Sequence, residues 1–159
     1  KTPQLILKLS SILSYMLYEC RAALVPLEKE IEIMKNYIDL EKERYGERIE
    51  ISENITGDLA SSQIAPLLLI PFLENAFKHG IGLISDPTIR IKLTLDDHQL
   101  QFSVHNKFNK ALTETKDVGS GIGIQNVRRR LNLLYKDLYT LTIVEKDLWF
   151  MADLKLILR

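Results

Sequence analysis

At Arg48 the spacing of apolar residues changes from a helical period to a period of two, and no single type of element can run through that change. Before it, Leu5, Leu9, Ile12 and Met16 stand at intervals of four, three and four, with Ile6, Leu13 and Leu17 widening the stripe. This is the face of a bundle helix. Residues 21–26 break the pattern, and Leu27, Ile31, Met34, Ile38 and Tyr45 resume it in a second helix. Glu28, Glu30 and Glu32 crowd its first turns, where the helix dipole favours anions, and Lys42 and Arg44 lie near its end. Gly46 closes it. The spacing predicts a helical hairpin whose stripes are covered by a second copy or by the domain that follows.

Beyond Arg48, Ile49, Ile51 and Ile55 predict a strand over 48–54, ended by the turn pair Gly57-Asp58. A helix over 64–79 follows, capped by Ser61 or Ser62 and kinked at Pro71, which removes a backbone hydrogen bond. Ile89, Ile91, Leu93 and Leu95 alternate strictly, and after the turn at 96–99 Leu100, Phe102 and Val104 continue as a hairpin partner. Residues 107–120 lose all periodicity, as either a mobile functional loop or a disordered stretch does. Ile124, Val127, Leu131 and Leu134 then mark a helix, and two strands, 139–145 and 148–158, meet at a turn near Asp147. This order of strands and helices, without repeated βαβ units, predicts an α+β fold: a two-layer sandwich of a mixed sheet with helices on one face. Arg90, Lys92, Thr94, Gln101 and Ser103 supply the polar outer face.

Composition narrows the function. Lys+Arg and Asp+Glu both number 21 in 159 residues, which argues against a nucleic-acid binder. The single cysteine, Cys20, excludes an internal disulfide. The longest apolar run, 64–73, contains Pro66 and Pro71 and is far short of the roughly 20 residues a membrane span needs.

Two stretches carry chemistry. Residues 70–80, Ile-Pro-Phe-Leu-Glu-Asn-Ala-Phe-Lys-His-Gly, combine an apolar helical face with Glu74, Asn75, Lys78 and His79 at one helical end. A metal–phosphate ligand suits such a cluster, as does a plain surface Glu–Lys pair with a C-terminal histidine on the helix dipole. Gly119, Gly121 and Gly123 lead into a helix N-terminus, where backbone amides favour a phosphate; a plain hinge reads the same way. No strand precedes these glycines and no Gly-Lys-Ser/Thr follows, so the dinucleotide and P-loop patterns both fail. Of Arg128, Arg129 and Arg130, which fan around the helix that follows, one can reach a phosphate or a neighbouring helix while the others stay solvated.

Together the two stretches resemble a known family. Leu-Glu-Asn-Ala-Phe-Lys-His-Gly at 73–80 resembles the N box of the GHKL ATP-binding superfamily, and Gly-Ser-Gly-Ile-Gly-Ile-Gln-Asn-Val-Arg-Arg-Arg-Leu at 119–131 its second glycine box. Pro-Phe-Leu-Glu-Asn-Ala-Phe-Lys-His-Gly at 71–80, Leu-Ser-Ser-Ile-Leu-Ser-Tyr-Met-Leu at 9–17 and Val-Pro-Leu-Glu-Lys-Glu-Ile at 25–31 resemble LytS-type sensor histidine kinases in particular. The resemblance implies a Bergerat-type ATP fold over 47–159, preceded by a 1–46 hairpin that is the remnant of a dimerisation and phosphoacceptor region. It implies Mg²⁺ held by Asn75, with Lys78 and His79 near the phosphates of ATP. Gly119, Gly121 and Gly123 would form the hinge of a lid, and Asn106 would stand where most relatives carry the aspartate that meets the adenine amino group. Glu74 is the candidate base, since position 71 is Pro71 rather than the Asn or Glu of many relatives.

The Asp-x-Gly-x-Gly first glycine box is replaced by Asn106-Lys107-Phe108-Asn109. The family's phosphoacceptor histidine, followed by Phe-Leu-Phe-Asn, is expected N-terminal to Lys1, so His79, His98 and His105 are not expected to be phosphorylated. The implied function is the cytoplasmic kinase part of an inner-membrane sensor that is a homodimer at full length. It would move the ATP γ-phosphoryl to histidine and thence to a response regulator. The absent glycine box motivates an alternative, a non-enzymatic scaffolding module on a degenerate nucleotide fold.

Overall fold

A computed structural model describes residues 2–80, 86–108 and 122–158. Helix α1 (Thr2–Leu17) and helix α2 (Leu27–Tyr45) form the hairpin, with the short strand β1 (Val25–Pro26) between them. Strands β2 (Glu50–Gly57) and β3 (Gln63–Ile64) precede helix α3 (Ile70–His79). The hairpin of β4 (Thr88–Asp96) and β5 (Gln99–Lys107), helix α4 (Ile122–Leu134) and the hairpin of β6 (Tyr139–Lys146) and β7 (Trp149–Ile157) complete the described chain. The fold is α+β, with a five-stranded mixed sheet in the order β2-β4-β5-β7-β6. Only β2–β4 is parallel, because β3 and α3 lie in the crossover between them.

Alternation builds the sheet. Ile89, Ile91 and Leu93 on β4, Leu100, Phe102 and Val104 on β5, and Ala152, Leu154 and Leu156 on β7 are buried. Arg90, Lys92 and Gln101 on the opposite face are exposed. Both hairpins turn through two successive residues of positive φ, Asp97-His98 (47° and 65°) and Asp147-Leu148 (52° and 69°), the geometry that matches strand twist. α3 lies against β5 and α4, and α2 lies against α3. One apolar core, running from Ile12 and Tyr15 through α2 and α3 to the sheet, joins the hairpin to the rest.

Several expectations need correction. The helix predicted over 64–79 with a kink starts only at Ile70, and it has no kink because Pro71 sits in its first turn, where a missing N–H costs nothing. Leu67, at φ 58°, is left-handed and stops any helix from running through residues 65–69. Neither Ser61 nor Ser62 caps α3: the N-cap position is Leu69, without a side-chain bond, and the hydroxyl of Ser62 is buried without a partner among the described residues. The strand expected over 48–54 runs from Glu50 to Gly57, since the Gly46–Arg48 segment forms a short 3-10 turn first. Gly57 ends that strand at φ 111°, where a Cβ would stand 2.3 Å from the Leu95 carbonyl oxygen. Of the stripe on α1 only Ile12 is buried, joined by Tyr15 from outside the stripe, whereas Ile6, Leu9, Leu13, Met16 and Leu17 stay exposed. The charged first turns of α2 are uneven as well: Glu28 and Glu32 are exposed, but Glu30 is buried.

Candidate functional site

The site is built around α3. Ile70, Phe72, Leu73, Ala76 and Phe77 are buried, which fixes how the helix is rotated on the sheet. The remaining arc carries Glu74 and Lys78, both exposed, and then Asn75 and His79, both half-buried. Glu74 and Lys78 fall on the side of α2. With Tyr37, Glu41 and Arg44 of α2 and Phe77 of α3 they line an open cleft of about 440 Å³. Tyr37 packs edge-on against Phe77 at 5.9 Å, and its phenol is pushed up by burial and then by Glu41 and Glu74. Burial also raises Glu41, with Arg44 pulling it back down. Asn75 and His79 lie further round the helix than this cleft.

β5 meets the C-terminal end of α3. The alternation that buries Leu100, Phe102 and Val104 places Asn106 on the same inner face, 1% exposed. Its Nδ2 donates to the Lys107 carbonyl at 2.9 Å, while its Oδ1 has no hydrogen-bond partner among the described residues. An unpaired buried acceptor costs about 1–3 kcal/mol and calls for an explanation. The Gly80 amide closes α3 on the Ala76 carbonyl at 2.7 Å. A Cβ on Gly80 would lie 3.2 Å from Asn106 Cβ and 3.3 Å from its Nδ2. The same Cβ would stand 2.6 Å from the Ala76 carbonyl oxygen, so glycine serves close approach here rather than a left-handed turn, its φ being −90°. Beside this contact Phe108 is buried and meets Phe150 edge-on at 6.2 Å.

Of the glycines, Gly123 lies in the first turn of α4 with open space where a Cβ would stand, while Gly119 and Gly121 lie outside the described residues. Of the arginine run, Arg128 and Arg129 are exposed. Arg130 donates through Nη2 to the Pro66 carbonyl at 2.9 Å and through Nη1 to the Leu67 carbonyl at 3.3 Å. His98 is exposed in its turn, and His105 Nε2 pairs with Asp153 Oδ1 at 3.0 Å on the outer face of the sheet.

Sequence reasoning missed the buried Tyr15–Glu30 pair, in which the Tyr15 hydroxyl donates to Glu30 Oε2. The signal was present: Glu30 stands four residues before Met34, inside the apolar stripe, but its acidic neighbours made all three look like dipole charges.

The histidine kinase family profile matches residues 1–49. Sensor protein LytS of Oceanobacillus iheyensis is 26% identical over 151 residues, covering 86% of this chain and 26% of that protein. The chain is a homologue of the LytS sensor histidine kinases. It spans about a quarter of the length of the curated relatives it matches. The histidine kinase domain of the Erythrobacter litoralis EL346 blue-light activated kinase shares the fold, with a TM-score of 0.62 at 13% identity, covering 98% of this chain and 74% of that one. Full-length ShkA in complex with AMPPNP superposes with a TM-score of 0.58 at 18% identity, over 94% of this chain and 36% of that one. Among the described residues no helix is long and apolar enough to cross a membrane.

Proposed function

We propose that this chain is the ATP-binding kinase portion of a sensor histidine kinase. The observation that carries the reading is Asn106 Oδ1, a buried acceptor without a partner, set against the end of the helix that carries Asn75. An adenine amino group is the kind of donor that satisfies such an acceptor. The ShkA fold is described with an ATP analogue bound, which supports the same reading.

In this reading residues 47–159 bind ATP, and the 1–46 hairpin belongs to the dimerisation and phosphoacceptor region. Asn75 offers a side-chain oxygen to Mg²⁺, an ion that keeps most of its shell for water and substrate phosphates. That mode needs no cage of acidic side chains, and among the described residues there is no group of three or more His, Cys, Asp or Glu able to hold a metal. When bound, the ion neutralises charge that builds up on the phosphates. Lys78 and His79 face the phosphates from the last turn of α3, and the amides at the start of α4, with Gly123 among them, favour the same anion. Gly119 and Gly121 act in the hinge of the lid. Glu74 serves as the base for the attacking imidazole, which comes from outside residues 1–159.

The catalytic power of such a site is positioning and electrostatics rather than covalent chemistry. The phosphoryl group passes to a response regulator. In the full-length protein, two copies pair through the hairpin, and the kinase part lies on the cytoplasmic side of an inner-membrane sensor.

One observation favours the scaffolding alternative: Phe108 is buried at the position where the GHKL resemblance implies the first glycine of the missing box. The two readings part on transfer chemistry. The chain is mixed with γ-labelled ATP, Mg²⁺ and a separate protein bearing the family's His-Phe-Leu-Phe-Asn segment. Label on that protein, reduced about a hundredfold by Asn75→Ala, is expected of the kinase. Absence of label with the unmodified chain, under conditions where the full-length protein labels itself, overturns it.

A further inference from the structure

The cleft between α2 and α3 is lined by charges that do not pair with one another. Tyr37, Glu41 and Arg44 follow at intervals of four and three along α2 and so share one helical face. Glu74, Phe77 and Lys78 supply the opposite wall from α3. Tyr37 and Phe77 meet edge-on at 5.9 Å and join the two walls. Glu41 is half-buried, whereas Arg44, Glu74 and Lys78 are exposed. Among the described residues the side chains of these four make no hydrogen bond and no ion pair. Two carboxylates and two cations therefore stand around an opening with aromatic walls, and all four are free to meet a ligand. Asn106 is not part of this lining, since it lies against Gly80 at the far end of α3. Lys78 is the member that the cleft shares with the proposed phosphate site. Carboxylates repel the phosphates of a nucleotide and accept from N–H donors, and aromatic walls suit a flat ring. The occupant that fits both is an imidazole, carried on a polypeptide that the open mouth admits.

We propose that this cleft receives the phosphoacceptor imidazole, with Glu41 and Tyr37 forming the α2 half of the acceptor site. This rests on the ATP reading above and adds to it two residues of the hairpin. The ring lies against Tyr37 and Phe77. One of its nitrogens points at the γ-phosphorus beside Lys78, and the N–H of the other donates to Glu41. The lone pair of the first nitrogen forms the N–P bond, and the bond from the γ-phosphorus to its bridging oxygen breaks with its electron pair left on ADP. The proton on the second nitrogen passes to Glu74, the proposed base on the opposite wall. By accepting that N–H beforehand, Glu41 fixes the tautomer and so decides which nitrogen attacks.

The test uses the whole chain, its Glu41→Gln and Glu41→Asp variants, γ-labelled MgATP, and a separate protein bearing the family's His-Phe-Leu-Phe-Asn segment at varied concentration. Such an acceptor site predicts that Glu41→Gln lowers kcat/KM for the acceptor protein about thirtyfold, the loss expected for a hydrogen bond to a charged group. MgATP affinity, followed by titration, should stay within about twofold of the parent, because Glu41 meets the acceptor and not the nucleotide. Glu41→Asp, which keeps the charge, should recover part of the loss. A loss that falls on MgATP affinity instead, or transfer that ignores Glu41→Gln, overturns the proposal and leaves the ATP reading standing. Docking is also followed with no nucleotide present, by NMR of the chain. The amide signals of Glu41, Phe77 and Lys78 should shift as the acceptor protein is added, and stay in place with a form of that protein whose histidine is replaced by alanine. If the unmodified chain binds no MgATP, the nucleotide reading fails by itself. The shifts then decide the cleft: their absence, or their persistence without the histidine, refutes it.

Discussion

α1 and α2 carry apolar residues at the same spacing and meet opposite fates. On α2, Leu27, Ile31, Met34 and Ile38 are buried to 3% exposure or less, and the helix packs on α1, on α3 and on the short strands. On α1, Leu9 is 48%, Leu13 49% and Leu17 60% exposed, and only Ile12 and Tyr15 reach the core. The difference teaches that a heptad-like stripe specifies a face but not what covers it. α2 lies between two layers and is buried whatever the oligomeric state. α1 has α2 on one side, tied by Lys8 to Asp39 at 2.9 Å, and leaves a contiguous apolar strip on the other. A strip of that kind marks an interaction surface, and the proposed homodimer would cover it.

The largest expected contrast is in stability. Ile38→Ala removes a fully buried side chain and should cost about 2–5 kcal/mol, whereas Leu13→Ala should stay within about 0.5 kcal/mol. Urea denaturation of dilute chain measures both, and comparable losses would erase the distinction between the helices. Self-association comes next. Leu9→Lys with Leu13→Lys should weaken any association of the chain by about tenfold or more while leaving the monomer folded, since each buried leucine is worth about 1.5–3 kcal/mol. Sedimentation velocity reads this directly, and unchanged association would assign the strip on α1 to some other cover.

The smallest effect concerns the one charge inside the buried face of α2. Burial raises the pKa of Glu30, so the protonated form is the one that folding favours. Its contribution is fully present below the unfolded value, about 4.3, and is lost as pH rises through the higher folded value. Glu30→Gln stays neutral throughout. Its melting temperature relative to the parent chain should therefore be lowest near pH 4 and rise towards neutrality; a flat or falling difference would mean that Glu30 is not a strained charge.

Much of the layout was readable because it depends on local period. The alternation at Ile89–Leu95 and the stripe at Ile124–Leu134 became a strand and a helix as expected. Pro71 was ambiguous, since a proline is compatible both with a kinked interior and with a first turn. What separates the two is the left-handed Leu67, and nothing in a leucine announces positive φ. Extending the alternation Leu100, Phe102, Val104 by one step would have put Asn106 on the buried face. Its unpaired oxygen, by contrast, depends on neighbours distant in sequence. Glu30 escaped notice for a related reason: the same residue serves as a helix-dipole anion or as a buried partner of Tyr15, and only tertiary packing decides.

The central claim is that α3 carries a MgATP site with Asn75 as the metal's protein ligand. Calorimetric titration of MgATP into the chain tests it most directly. The expected result is saturable heat that ADP competes away, with apparent affinity lowered about tenfold or more by Asn75→Ala and then indifferent to Mg²⁺. No heat at millimolar ligand and no competition by ADP, with the chain folded, would contradict it.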